Sequence, residues 1–284
     1  MNLDKIKNLD IAPIVQRYEF RDSILYALGL GYGADPLDES ELPFVYEESM
    51  KVVPSMVSVL SHPGFWLKDP QYGVNWVKVL HAEQAFTIHS PIPTQGAVRG
   101  EYTIIGVEDK GADKGAMLHI EKALFDEADG AKLATVRSSV YLRGDGGQGG
   151  FGSAVEAALP IPKREPDRVV EFSTLPSAAL IYRLSGDYNP LHADPKVARK
   201  AGFERPILHG LCSFGLGCRA LLKAYCGNDP ARLTSMFARF SSPVYPGETI
   251  RFEFHDIDGG IRFKAVVKER NVVVLDRCSA TLRA

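Results

Sequence analysis

The sequence predicts an α+β protein of two similarly ordered halves, each a helical segment followed by a meander of antiparallel strands. Three observations predict it. Four segments, about Val77 to Ile88, Ala97 to Glu108, Ala116 to Phe125 and Leu133 to Leu142, have strand character and are bounded by Gly, Pro or Asp. A second series follows at Arg232 to Phe240, Thr249 to His255, Ile261 to Lys268 and Val272 to Leu282. Ahead of that second series Leu211, Phe214, Cys218, Leu221, Leu222 and Tyr225 recur at helical spacing, which predicts a buried helix of about five turns over residues 209 to 226. Ser213, Arg219 and Lys223 lie off that stripe.

Taken in order, Asp22 to Leu30 is apolar at helical spacing and stops at Gly31, which predicts a short helix. Leu42-Pro43-Phe44-Val45-Tyr46 reads as a strand. Val52 to Leu60 has the length of two helical turns before His62-Pro63-Gly64 stops it, so the first half has lost most of its central helix. Between the halves, Gly144 to Gly152 holds a formal G-x-G-x-x-G, but without βαβ alternation around it and without the G-K-S/T of a phosphate loop. Its composition predicts a flexible connection, and the halves divide as residues 1–155 and 156–284. In the second half Ile250, Phe252 and Phe254 alternate with Arg251, Glu253 and His255, the pattern of a strand with one buried and one wet face.

Bulk properties exclude several classes. A chain of 284 residues, 45% hydrophobic and 24% charged, is long enough for one large unit or two fused domains. A net charge of −2 leaves no broad basic surface for nucleic acid. The N-terminus, MNLDKIKNLDIAP, carries charges where a signal peptide needs an apolar core, no apolar run reaches bilayer length, and the TLRA terminus is not a peroxisomal S-K-L address, so a cytoplasmic protein is expected. Cys212, Cys218, Cys226 and Cys278 lack C-x-x-C spacing and read as reduced core thiols.

Chemistry concentrates between Tyr182 and Gly210. Asp187, Asn189 and His192 lie within six residues, and Pro190 fixes the backbone between them. Two readings stand side by side: an exposed Asx turn leading into a short helix at Pro195 with Asp194 as its N-cap, or an acid/base pair presented on one rigid loop.

The string Tyr182-Arg183-Leu184-Ser185-Gly186-Asp187-Tyr188-Asn189-Pro190-Leu191-His192, followed by Pro206-Ile207-Leu208-His209-Gly210-Leu211, resembles the signature of the hydratase 2 (MaoC-like) family of enoyl-CoA hydratases. Two matched blocks at the expected separation are more specific than one short pattern. The resemblance implies two fused hot-dog folds, a long antiparallel sheet wrapping a central helix in each half, with catalysis in the second. It implies Asp187 and His192 as the acid/base pair, Asn189 as an orienter of water, and the Gly210 N–H as oxyanion donor, a role suited to a helix N-terminus. Arg183 and Leu211, within the matched blocks, join Glu47 and His81 as candidate substrate-binding residues; Tyr46-Glu47 is similar to a Tyr-Glu pair of two-hot-dog hydratases, and Leu80-His81-Ala82-Glu83-Gln84 to a segment beside the acyl-CoA cleft. His209 reads as a cap or packing histidine. A metal site of Asp187, His192 and His209 has no recognised ligand spacing, and no metal or cofactor is expected.

The activity implied is reversible hydration of trans-2-enoyl-CoA to (3R)-3-hydroxyacyl-CoA by a homodimer that spans no membrane. A hot-dog thioesterase and a non-catalytic acyl-CoA binding module are the alternatives; the intact Asp187 and His192 favour hydration. Loss of the first-half helix leaves volume for either Phe65 and Trp66 or an acyl tail, and the tail is the reading the resemblance favours.

Overall fold

Alternation of apolar and polar residues carries the sheet. In the computed structural model, which describes residues 1–152, 155 and 158–283, the strands in chain order are β1 (Ile14–Tyr18), β2 (Val79–Ile88), β3 (Gly96–Asp109), β4 (Ala116–Asp126), β5 (Lys132–Leu142), β6 (Phe151–Gly152), β7 (Arg168–Ser173), β8 (Leu233–Phe240), β9 (Thr249–Ile257), β10 (Gly260–Val267) and β11 (Val272–Leu282). They form one antiparallel sheet in the order β1-β3-β4-β5-β2-β8-β11-β10-β9-β7, with β6 added on β3. The two halves meet at β2 and β8, paired from Glu83 opposite Arg239 to Thr87 opposite Ser235. Ile250, Phe252 and Phe254 of β9 are fully buried, as their alternation requires.

The helices are α1 (Leu3–Lys7), α2 (Phe20–Gly29), α3 (Ala178–Tyr182), α4 (Pro195–Lys200) and α5 (Gly210–Leu221), the last extended by a π turn, Leu222–Cys226. One face of α5 lies on the sheet, where the Phe214 ring meets Phe86 edge-on at 5.8 Å. A Cβ on Gly217 would stand 2.9 Å from the Met236 methyl, and one on Gly215 only 2.5 Å from Leu30, just beyond α2. The helix is thus held between sheet and α2 at distances that only glycine allows. Every residue from Cys212 to Leu221 is buried, including Ser213 and Arg219, which the stripe alone left outside.

Arg219 is the reason the far end of α5 tolerates burial. Its guanidinium makes a bidentate pair with Glu41, Nε to Oε1 at 2.9 Å and Nη2 to Oε2 at 2.7 Å, and donates to the Leu30 carbonyl at 3.0 Å. It lies over Phe172 and Tyr32. Both partners are almost wholly buried, so each depends on the other for charge compensation. This pair also explains why Leu42 to Tyr46 is no strand: following the anchored Glu41, Pro43 begins a 3-10 turn, Leu42–Phe44, and Phe44 packs on Tyr32 at 4.6 Å.

In the first half the segment opposite α5 is a 3-10 turn, Pro54–Ser58, and not a full helix. The glycine-rich stretch is tied down where sequence composition suggested flexibility. The Asp109 carboxylate accepts the N–H groups of Gly147 and Gly149 at 2.8 and 2.7 Å, and Phe151–Gly152 pairs with β3. Residue 156, where the expected second half begins, lies outside the described residues. All four cysteines are buried and free, and no helix among the described residues is long and apolar enough to cross a membrane.

Removing one partner of the Arg219–Glu41 pair strands the other charge in the core. Glu41→Ala is therefore expected to lower unfolding stability by about 3–5 kcal/mol. Urea denaturation measures it, and a loss below about 1 kcal/mol would place the pair among weak surface bridges.

Candidate active site

The loop from Asp187 to His192 is built from two overlapping Asx turns. The Asp187 carboxylate accepts the Asn189 N–H at 3.0 Å, and the Asn189 side-chain oxygen accepts the Leu191 N–H at 3.1 Å. Pro190 then opens a 3-10 turn that ends at His192. Asp187 and Asn189 are exposed, whereas His192 is buried. The turn reading of this stretch is thus correct in geometry, and the same turn leaves the second Asp187 oxygen and the Asn189 amide nitrogen available. Asp194 caps α4, accepting from the Lys196 N–H at 2.7 Å.

His192 Nδ1 faces the Ile207 carbonyl at 2.8 Å. That contact assigns the proton to Nδ1 and leaves the Nε2 lone pair free. Burial holds the His192 pKa below the usual imidazole value, with the Ile207 bond and the Asp187 charge opposing it. The neutral ring is the form a general base needs.

His209 joins the parts. Its ring stacks on His192 with centroids 3.8 Å apart, and its Nε2–H donates to the Asp187 carbonyl at 3.1 Å. Burial first, then the neighbouring His192, keep His209 neutral by lowering its pKa. The packing role read from the sequence holds, and the bond to Asp187 is an addition that no local pattern announces, since the two residues are 22 apart. His209 is also the residue before α5, so Gly210 follows directly on the stacked rings. The first N–H groups of a helix lack intrahelical acceptors, and that of Gly210 stands free among the described residues.

The remaining candidates separate. The His81 ring packs edge-on against Phe240 at 4.9 Å, and the Phe240 ring in turn lies 3.3 Å from where a Gly210 Cβ would be, so His81 and Gly210 flank the same ring. Surrounding protein lowers its pKa although the residue keeps a solvent-exposed edge; its Nε2 meets the Glu83 carbonyl at 3.1 Å, and the Asp187 charge acts on it. His62, not singled out in the sequence, also feels the Asp187 charge from the first half. Arg183 braces the loop, donating to the Tyr188 carbonyl at 3.2 Å and lying over the Tyr188 ring. Leu211, half-buried, packs against the core.

Glu47 makes no hydrogen bond or ion pair with the Asp187 to His192 loop among the described residues. It is exposed, in a segment held by the Lys51 N–H on the Pro43 carbonyl at 2.8 Å and by the Lys51 ammonium on the Asn228 carbonyl at 3.2 Å. Asn228 follows the C-terminal end of α5, and the 12 residues of that helix alone span about 18 Å from Gly210.

Asp187, His192 and His209 offer ligand atoms within 4.8 Å of one another. The two imidazole planes are only 27° apart in their stack, so their in-plane lone pairs run side by side and do not converge as a tetrahedral ion requires. A separation of that size between Asp187 and His192 is one that a single water bridges. Beside the loop lies a cavity of about 120 Å³, lined by Leu25, Met56, Val59 and Leu60 of the first half and by Leu184 and Gly186 of the motif. Phe65 does not fill it, being 45% exposed, and Trp66 packs edge-on against Tyr72 at 5.1 Å.

Comparison with known proteins shows the family of the chain. Residues 157–277 match the MaoC like domain, and residues 16–144 match the MFE-2 hydratase 2 N-terminal domain. The chain is 38% identical over 281 residues to the peroxisomal enoyl-CoA hydratase 2 of Arabidopsis thaliana, covering 91% of this chain and 88% of that one. An enoyl-CoA hydratase of Mycobacterium tuberculosis is 37% identical over 255 residues, covering 88% and 87%. The crystal structure of a MaoC-like dehydratase from Phytophthora capsici superposes with a TM-score of 0.88 at 39% identity, covering 100% of this chain and 99% of that one. With both halves matched, and with these relatives aligned over nearly their whole length, the chain belongs to the hydratase 2 family of MaoC-like proteins.

Proposed function

We propose that this chain catalyses the reversible hydration of trans-2-enoyl-CoA, giving the 3R-hydroxyacyl-CoA that the hydratase 2 resemblance implies. The observation that carries the reading is the convergence of Asp187, His192 and His209, the residue directly ahead of Gly210 at the start of α5, beside a cavity. In the forward direction water, held between Asp187 and His192, gives up a proton as its oxygen bonds to C3. The pair returns a proton to C2, so both groups end as they began. Negative charge that develops on the thioester oxygen is taken up by the Gly210 N–H and the dipole of α5. Asn189, whose side-chain nitrogen is not used in its Asx turn, orients the water. No metal or cofactor has a part in these steps, and turnover is expected to be unaffected by a chelator.

Asp187→Asn and His192→Gln should each leave the protein folded and lower kcat by about 10²- to 10⁴-fold, with the double variant little worse than either single one. Loss of enoyl absorbance with crotonyl-CoA measures this, and a parallel free-thiol assay separates hydration from thioester hydrolysis. Thiol release without hydration would replace the reading by a thioesterase.

We assign catalysis to residues 156–284 and binding of the acyl tail to residues 1–155, because the cavity beside Gly186 runs along Met56, Val59 and Leu60. Each further methylene buried there contributes roughly 0.8 kcal/mol. In a series of C4, C8, C10 and C16 enoyl-CoA, kcat/KM is expected to rise until the cavity ends; a steep fall beyond C4 would remove the tail from this cavity.

Among the described residues the edge strands β1 and β7 have no strand partner on their outer sides. We propose a homodimer, for which light scattering at micromolar concentration should give twice the chain mass; a stable monomer would refute it.

A further inference from the structure

Lys122 occupies an inward register position of β4, in line with Leu118 and Leu124, and is 3% exposed. A cation at this depth disfavours its own charge, and burial pushes its pKa down to about 7. Its partners are two carbonyls, Val57 O at 2.8 Å and Leu60 O, and no ion pair among the described residues includes it. The steps assigned to Asp187 and His192 make no use of it.

The two carbonyls close the 3-10 turn that stands where the second half has its long helix. Ser61, the next residue, is left-handed at φ 51°. Its N–H donates to the Gln16 side-chain oxygen at 2.6 Å, and its carbonyl accepts the Tyr102 hydroxyl at 2.7 Å. The end of this turn is thus tied by Lys122, Gln16 and Tyr102. Met56, Val59, Leu60 and Gln16 are also cavity-lining residues, so the tied segment is a wall of the cavity.

We propose that Lys122 is a positioning residue that determines chain-length specificity: by holding the Val57 and Leu60 carbonyls it fixes the cavity wall against which a long acyl tail lies. The inference rests on the acyl-CoA reading above. Crotonyl-CoA, with one carbon beyond C3, ends before that wall and does not sense it. A decenoyl tail lies along it, and with the ammonium removed two carbonyls behind the wall are left unpaired and the wall loses its fixed position.

The test uses Lys122→Met, similar in length but without a donor, and Lys122→Gln, which keeps N–H donors on a shorter stem. With crotonyl-CoA, Lys122→Met should retain kcat/KM within about twofold. With trans-2-decenoyl-CoA it should lose about tenfold, the worth of roughly two buried methylenes, and chiefly through KM. Lys122→Gln should recover part of that loss. An equal fall for both substrates, an unchanged ratio, or failure of both variants to fold would make Lys122 a structural group only and overturn the proposal. Wild-type protein that turns over neither substrate would sink the hydratase reading instead; decanoyl-CoA binding by calorimetry then still decides Lys122, since weaker binding to Lys122→Met supports it and equal binding overturns it.

Discussion

A helix buried on every side has only its two ends left for polar interactions, and the structure is arranged around this constraint on α5. At one end Gly210 follows directly on His209, which bonds the Asp187 carbonyl; at the other, Arg219 reaches Glu41 and the Leu30 carbonyl. The residues between are committed to packing, with Gly215 and Gly217 letting α2 and the sheet close in. Position along the helix axis is therefore set by the Arg219 anchor, and a shift there would carry Gly210 out of line with the histidines.

The histidines beside Asp187 are ordered by neutral contacts. His192 and His209 stack, each gives its proton to a backbone carbonyl, and neither rests on a charged partner for its tautomer. Both rings remain uncharged because burial disfavours the imidazolium. Asp187, in contrast, stays at the surface of the loop, where water reaches it. One buried imidazole and one exposed carboxylate thus stand a few ångströms apart in different environments.

Much of this was legible in the residues. The strands alternate at period two, the helix repeats at 3.6, and the Asp187 to His192 loop announces its turns by Asp, Asn and Pro. What escaped were interactions between residues distant in the chain. Glu41 and Arg219 are separated by 178 positions, and nothing beside either shows the other. Leu42 to Tyr46 has strand composition, but a strand exists only where a neighbour supplies hydrogen bonds, and here Pro43 and the anchored Glu41 turn the chain away. Glu47 was carried over on a two-residue likeness, too little to place a side chain. Lys122 did leave a readable trace: a cation at the inward beat of Ala116, Leu118 and Leu124 breaks an otherwise apolar series.

The pairing of β2 with β8 makes the two halves one sheet within one chain. In a dimer of identical hot-dog subunits every substitution is made twice, once in each symmetry-related position, so a residue can be optimised for catalysis or for ligand storage only if it serves in both. Fusion removes that restriction. The first half can hold a 3-10 turn, a buried lysine and a cavity while the second keeps a full helix and the Asp–His loop, and neither change is copied where it would do harm. The asymmetry of the molecule, a full helix in one half and a short turn beside a cavity in the other, is available only because the twofold axis between them is approximate.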